Sequence, residues 1–395
     1  MGQKLHRGRR SVFRKRRSPL KTILWLFVAV CIIGGGYLMA MLVAPQAQQA
    51  MTAQQETDIP QHSPIDTKPT QPSPTKPAAP TQPSPEDAGT VPTGIRGFYL
   101  PHAALTDAKL ADTLSAAKQA GFTAVVFDLK DPEGQLYYRF TAPQAKQVNA
   151  YTKDALTKKQ LTSLFQQIKK AGLTPVPRLY AFRDNLGAKA LPNARIGLKS
   201  DASQSWYDGD PKASGSKRWL NPYDNDAHDY IGALAEELKE LGAGGVMLDG
   251  VQFPRQVISA GFGTDNATLR WNEVLTLFIS KMKTRLGEEC PVILTCTGES
   301  VLENATQIYG GNPLTFTPSV AAPLLPVDKV REAVETIIAR INVEENNKTL
   351  PAPMLDINGL SAAQVKQALT DCVAGGATNY ILYHPQGDYA FAAYL

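Results

Sequence analysis

The chain has 395 residues, of which 43% are hydrophobic and 19% charged. That balance belongs to globular proteins rather than to fibrous or wholly disordered ones, and the length exceeds one average domain. The formal charge of +5 is misleading. Nine Lys or Arg residues lie in the first 21 positions with no acid among them, and the other 374 residues carry 32 bases against 36 acids. A mildly acidic remainder argues against nucleic acid as a partner.

The basic block RGRRSVFRKRRSPLK precedes an uncharged run, Ile23–Val43. About 20 apolar residues at ~1.5 Å rise cross a hydrocarbon core of ~30 Å, and the basic flank stays cytoplasmic. The run outlasts the ~7–15 apolar residues of a secretory signal. The expectation is therefore an uncleaved anchor over residues 23–44, after a cytoplasmic segment 1–22, with the rest of the chain extracellular. Cleavage near Ala44–Ala47, giving a secreted protein, is the alternative.

Residues 45–92 are rich in Pro, Thr, Gln, Ser and Ala, and TQPSP occurs at both Thr70–Pro74 and Thr81–Pro85. Such a segment cannot bury enough apolar surface to offset ordering, so a disordered linker is predicted. At ~3.1 Å per residue in polyproline II it would hold a domain on the order of 100 Å from the membrane.

From residue 93 onward, apolar strands alternate with helical spacings. Strands are predicted at Gly94–Leu100, Thr123–Leu129, Leu173–Phe182, Gly245–Phe253, Cys290–Gly298, Pro313–Val320, Pro351–Asn358 and Thr378–Pro385. Helical stripes run through Leu110, Leu114 and Ala117; Leu161, Leu164, Phe165 and Ile168; Ile231, Leu234, Leu238 and Leu241; and Leu275, Phe278 and Met282. Two more run through Val330, Val334, Ile337 and Ile341, and through Val365, Leu369 and Val373. Gly121, Gly172, Gly242 and Gly375 fit C-terminal caps. The connection Glu299–Asn312 leaves room only for a short helix. Eight strands separated by helices predict an α/β fold, a (β/α)8 TIM barrel over residues 93–395. A doubly wound open sheet is the competing arrangement, but no glycine-rich turn follows the first strand.

A barrel places its active site at the carboxyl ends of its strands. Acidic residues recur there. Asp128 ends the second strand, Asp249 interrupts GVMLDGVQF in the fourth, Glu299 follows the fifth and Asp356 comes late in the seventh. Arg178 lies in the third strand and His384 ends the eighth. Two carboxylates flanking a bond are the equipment of glycoside hydrolysis, one attacking or stabilising and the other donating a proton. The bland reading of Asp249 is a loop cap or a partner for a nearby Arg such as Arg255. Arg178 would equally reach a substrate hydroxyl or a neighbouring Asp.

Trp219–Pro254, WLNPYDNDAHDYIGALAEELKELGAGGVMLDGVQFP, resembles the signature of a glycoside hydrolase-like family of bacterial envelope proteins, a barrel distantly related to the alpha-amylase clan. AVVFDLKDPEG (Ala124–Gly134) and PRLYAFRDN (Pro177–Asn185) resemble its second- and third-strand motifs. The resemblance implies Asp249 as nucleophile, and strand order implies Glu299 as proton donor and Asp356 as the carboxylate that steadies the transition state. It also implies an oligosaccharide or polysaccharide partner. Where the family has Tyr-Val-Arg after the Asp, this chain has Gly250, Val251 and Gln252, which removes a fixed guanidinium.

The long third connection, Arg183–Leu220, is expected to be either functional or disordered. Trp206, Tyr207, Trp219 and Tyr223 are candidate sugar platforms, with Asp128, Arg178, Tyr180, Gln252 and His384 as further candidate substrate contacts. No metal or cofactor is expected. The three His of the barrel, His102, His228 and His384, are scattered, no G-x-S-x-G motif is present, and Cys290, Cys296 and Cys372 fit no zinc spacing. They read as buried thiols, and His228 as a surface or capping residue. Two functions remain open: a tethered glycosidase, and a barrel that keeps a glycan cleft without turnover.

Overall fold

Eight parallel strands close on themselves: β1 (Arg96–Leu100), β2 (Ala124–Lys130), β3 (Thr174–Tyr180), β4 (Val246–Asp249), β5 (Val292–Thr297), β6 (Val320–Leu325), β7 (Met354–Asp356) and β8 (Tyr380–Tyr383). Each pairs with the next, and β8 returns to β1, so no edge is left open. The computed structural model describes residues 94–263, 269–303, 307–343 and 346–394. The anchor and the Pro-rich linker expected at 23–44 and 45–92 lie outside them. Among the described residues no helix is long and apolar enough to cross a membrane.

Helices follow the strands as the stripes require: α1 (Leu110–Gln119), α2 (Lys158–Lys170), α3 (Asn225–Glu240), α4 (Trp271–Leu286), the short α5 (Gly298–Leu302), α6 (Val330–Ile341) and α7 (Ala362–Ala374). Their starts are written in the sequence. Thr157 and Gln160 form a capping box on α2, and Ser361 and Gln364 form one on α7, each satisfying backbone N–H groups that the first turn leaves unbonded. The apolar stripes pack against the outer faces of the strands in one large core.

The inner strand faces make a second apolar cluster, including Val126, Val176, Met247, Ile293, Ala322, Met354 and Ile381. These side chains plug the barrel. Side chains alternate across a strand with a period of two. Two residues beyond the plug, that alternation therefore brings Asp128, Arg178, Asp249, Thr295, Leu324, Asp356 and Tyr383 to the mouth.

Four expectations need correction. The sixth strand is Val320–Leu325, not Pro313–Val320. Pro313 cannot donate to a ladder, and Asn312 Oδ1 accepts from the Leu314 N–H, so Pro313–Phe316 winds into a 3-10 turn instead. The true strand was disguised by Pro323, which sits opposite Cys296. On α7, Val373 is exposed and Cys372 takes its place in the core. The left-handed residue after α7 is Gly376 (φ 99°), because Gly375 still has helical φ. His228 is buried rather than superficial.

Two connections carry extra structure. Between β2 and α2 the chain forms two short strands, Leu136–Tyr138 and Tyr151–Leu156, around a short helix, Pro143–Val148. The long connection after β3 pairs Gly197–Leu198 antiparallel with Ala260–Gly261 from the connection after β4. Ile196, Trp206 and Trp219 form a small apolar cluster of their own in it. Residues of the connections after β3 and β4 wall one side of the barrel mouth.

Candidate functional site

A cleft of about 710 Å³ opens at the carboxyl ends of β3 to β6. Asp249, the last residue of β4, is on its wall. Gly250 follows with φ 62°, a left-handed turn that stops the strand and leaves Asp249 at the mouth. Tyr180, Trp219 and Gln252 line the same cleft, as does Tyr309, whose hydroxyl donates to Gln252 Oε1 over 3.4 Å. Thr295, Thr297 and Leu324 complete its β5–β6 side.

The Asp249 side chain is 24% exposed. Desolvation raises its carboxyl pKa above the ordinary range. The Arg178 guanidinium, the Gly250 N–H and a hydrogen bond with Tyr180 oppose that rise, and the nearby Asp128 charge reinforces it. The Gly250 N–H donates to Asp249 Oδ1 over 2.6 Å. Arg178 Nη1 lies 3.5 Å from Asp249 Oδ2, at the limit of a hydrogen bond.

Arg178 belongs first to Asp128. Its Nε donates to Oδ1 over 2.5 Å and its Nη2 to Oδ2 over 3.0 Å, a two-pronged pairing between residues opposite each other on β3 and β2. Of the two readings of this Arg, the neighbouring Asp is the one the structure shows. Tyr99 adds a hydrogen bond to Asp128 Oδ2 over 2.8 Å. The rings of Tyr99, Tyr180 and Tyr383 surround the guanidinium at 5.0, 5.2 and 5.8 Å. Burial pushes the phenols of Tyr99 and Tyr180 far above their usual value, so both keep their protons to donate.

The remaining predicted residues are distributed differently. Glu299 is exposed in the first turn of α5 and is not among the residues lining the cleft. Asp356 sits in the mouth ring on β7, but its Oδ1 accepts from the Asn358 N–H and it does not line the cleft. His384 serves the loop after β8, its Nδ1 accepting from the Asp388 N–H. Trp206 is a buried anchor whose Nε1 donates to the Ile258 carbonyl. Tyr223 packs on Phe253 and Phe262 and donates to the Leu269 carbonyl. Trp219 both anchors its loop, through Nε1 to Asp208 Oδ2 at 3.0 Å, and faces the cleft.

Sequence reasoning missed Asp208, Arg183 and Arg255 as cleft residues. A signal for the two arginines was present, since each follows a strand end within six residues. It also missed Lys130 and Asp184, both fully buried, whose Nζ and Oδ2 lie 2.9 Å apart just below the site. Lys130 Nζ donates as well to the carbonyl of Tyr180 over 2.5 Å, fixing the backbone from which Tyr180 faces the cleft.

Similar solved structures include a hypothetical protein from Ruminiclostridium thermocellum ATCC 27405, at 20% identity and TM-score 0.42, covering 49% of this chain and 96% of that one. A glycoside hydrolase family 20 β-N-acetylglucosaminidase matches at 12% identity and TM-score 0.45, covering 76% of this chain and 66% of that one. The glycoside hydrolase domain of PelA from Pseudomonas aeruginosa matches at 12% and 0.43, covering 74% and 96%. No curated protein matches the chain. Residues 97–300 match the family model described as "Putative glycosyl hydrolase domain". That match spans more than half of the chain, and the chain belongs to this family.

Proposed function

We propose that this protein is a glycoside hydrolase that takes a glycan into the cleft at the mouth of its barrel and uses Asp249 in proton transfer to the scissile bond. One observation carries the reading: a strand-end carboxyl, part exposed to the cleft, whose proton affinity is raised by desolvation. A catalytic acid needs a pKa nearer the working pH than a free carboxyl has. Trp219 and Tyr180 supply flat faces for sugar rings, and Gln252, Thr295 and Thr297 supply hydroxyl partners.

The mechanism calls for a second carboxylate. Asp208 is on the cleft wall, whereas Glu299 and Asp356 are not. We therefore take Asp208 as that group, with Asp249 in the proton-donor role that strand order implied for Glu299. Residues 23–43 carry no charge and follow a basic block, which supports tethering to the cell membrane with the barrel outside.

A second reading has its own support. Glu299 is turned to solvent, and both oxygens of Asp208 already accept hydrogen bonds, from the Lys217 N–H and from Trp219 Nε1. A cleft with one free carboxyl fits a glycan-binding or envelope-organising module. Reducing ends released from a glycan panel separate the two. Wild type is expected to release them, Asp249→Asn and Asp208→Asn to abolish release, and Glu299→Gln to retain it. Full release by Asp249→Asn would remove the enzyme reading as stated, and binding without release by wild type would establish the module.

A further inference from the structure

The cleft holds two arginines that no described residue pairs with. Arg183 and Arg255 both line it, and both are exposed. Arg183 follows β3 by three residues, and Arg255 follows β4 by six. Neither takes part in any ion pair or hydrogen bond among the described residues, although every other arginine at the barrel mouth does. Arg178 is bound to Asp128, and Arg218 bonds Asn185 and lies over the Tyr207 ring.

Carboxylates stand in the same cleft and do not take up these guanidinium groups. Asp208 accepts from the Lys217 N–H and Trp219 Nε1, and Asp249 accepts from the Gly250 N–H and has Arg178 at 3.5 Å. The site of a Cβ on Gly250 would be 3.4 Å from the Cβ of Arg183, so Arg183 leaves the chain directly beside the Asp249 turn. A guanidinium carries five N–H donors in a planar fork that matches two oxygens of a carboxylate, sulfate or phosphate. Two such forks in a concave wall, paired with neither of its carboxylates, favour an oxyanion from outside the protein.

We propose that the cleft takes an acidic glycan, with an oxyanion on a sugar ring held by Arg183 and Arg255 while the neutral part of the chain lies on Trp219 and Tyr180. This rests on the glycan cleft of the preceding section and adds the charge of its substrate class. A uronate carboxylate and a sulfate ester offer the same oxygens, and the test separates them.

Calorimetric titration of the full chain uses tetragalacturonate, its methyl ester, a sulfated galactan tetrasaccharide and the unsulfated parent. Tighter binding of an acidic form than of its neutral twin, by about tenfold or more and weakening with salt, is expected. Preference within the first pair identifies a uronate, and within the second a sulfate. In Arg183→Gln with Arg255→Gln the ratio should fall to near one while neutral binding persists. Equal binding of acidic and neutral twins by wild type, or a ratio unchanged in the double variant, overturns the inference and leaves the glycan cleft standing. Failure of all four to bind, together with failure of the wider glycan panel, overturns the cleft reading itself.

Discussion

Arg178 is bound to Asp128 through two nitrogens, at 2.5 and 3.0 Å, but reaches Asp249 with only one, at 3.5 Å. The same cation is therefore a structural partner to one carboxylate and a weak electrostatic neighbour to the other. That asymmetry leaves the Asp249 side chain less firmly held than that of Asp128.

Removing the cation exposes the difference. Arg178→Leu leaves the largely buried Asp128 without a counter-charge, and loss of one partner of a buried pair costs about 3–5 kcal/mol. Asp249 also loses the charge that holds its pKa down. Urea unfolding of the variant should show the loss of stability, and the alkaline limb of any activity profile, where Asp249 loses the proton it must donate, should move to higher pH.

Asp249→Asn should stabilise the protein at neutral pH. The folded carboxyl pKa lies above the unfolded value, so ionisation of Asp249 costs the folded state more than the unfolded one. That cost is present above the folded pKa and vanishes below the unfolded pKa. Thermal melts across pH 4–8 are expected to show the variant ahead of wild type near pH 7 and level with it at the acid end.

His228 titrates the other way. Desolvation depresses its pKa from 6.5 to about 4, Nε2 faces the Pro222 carbonyl at 2.6 Å, and Nδ1 faces Lys281 Nζ at 3.2 Å. Those partners require the neutral ring with its proton on Nε2. As pH falls below 6.5 the unfolded chain takes a proton that the folded one refuses, so stability drops until about pH 4 by roughly 3 kcal/mol from this group alone. His228→Gln keeps an N–H for Pro222, and denaturant melts should show a shallower acid slope for it.

Lys130→Met should be severe. It leaves Asp184 buried without its cation and frees the Tyr180 carbonyl, a loss of about 3–5 kcal/mol by the same reasoning. Lys130→Met with Asp184→Leu should recover less than the full loss, because Asp184 Oδ1 also accepts from the Gly187 N–H at the start of its short helix. Chemical denaturation of both variants checks this.

Much of the barrel was readable because each helix repeats its apolar stripe and each buried strand is a short apolar run between turns. The rule that strand ends face the site pointed to Asp249, Asp128 and Arg178 at the rim, and the aromatic content of the long third connection pointed to Trp219. Strand order failed for Glu299, because β5 ends at Thr297 and the chain turns at once into α5, carrying the next residues away from the mouth. Pattern alone could not say that Trp206 and Tyr223 are loop anchors. That depends on which carbonyls, Ile258 and Leu269, wait across the fold for their polar tips. The Lys130–Asp184 pair was invisible because a buried charge looks like a surface one until its partner is located.

The closure of β1 against β8 has a consequence for synthesis. Ile95 donates to Asn379, 284 positions later, and Tyr389 reaches back to the Tyr99 carbonyl. A nascent chain emerging amino end first therefore presents β1 as an unmatched sheet margin until the last strand has left the ribosome. During that interval the half-built sheet is a template for any other extended segment.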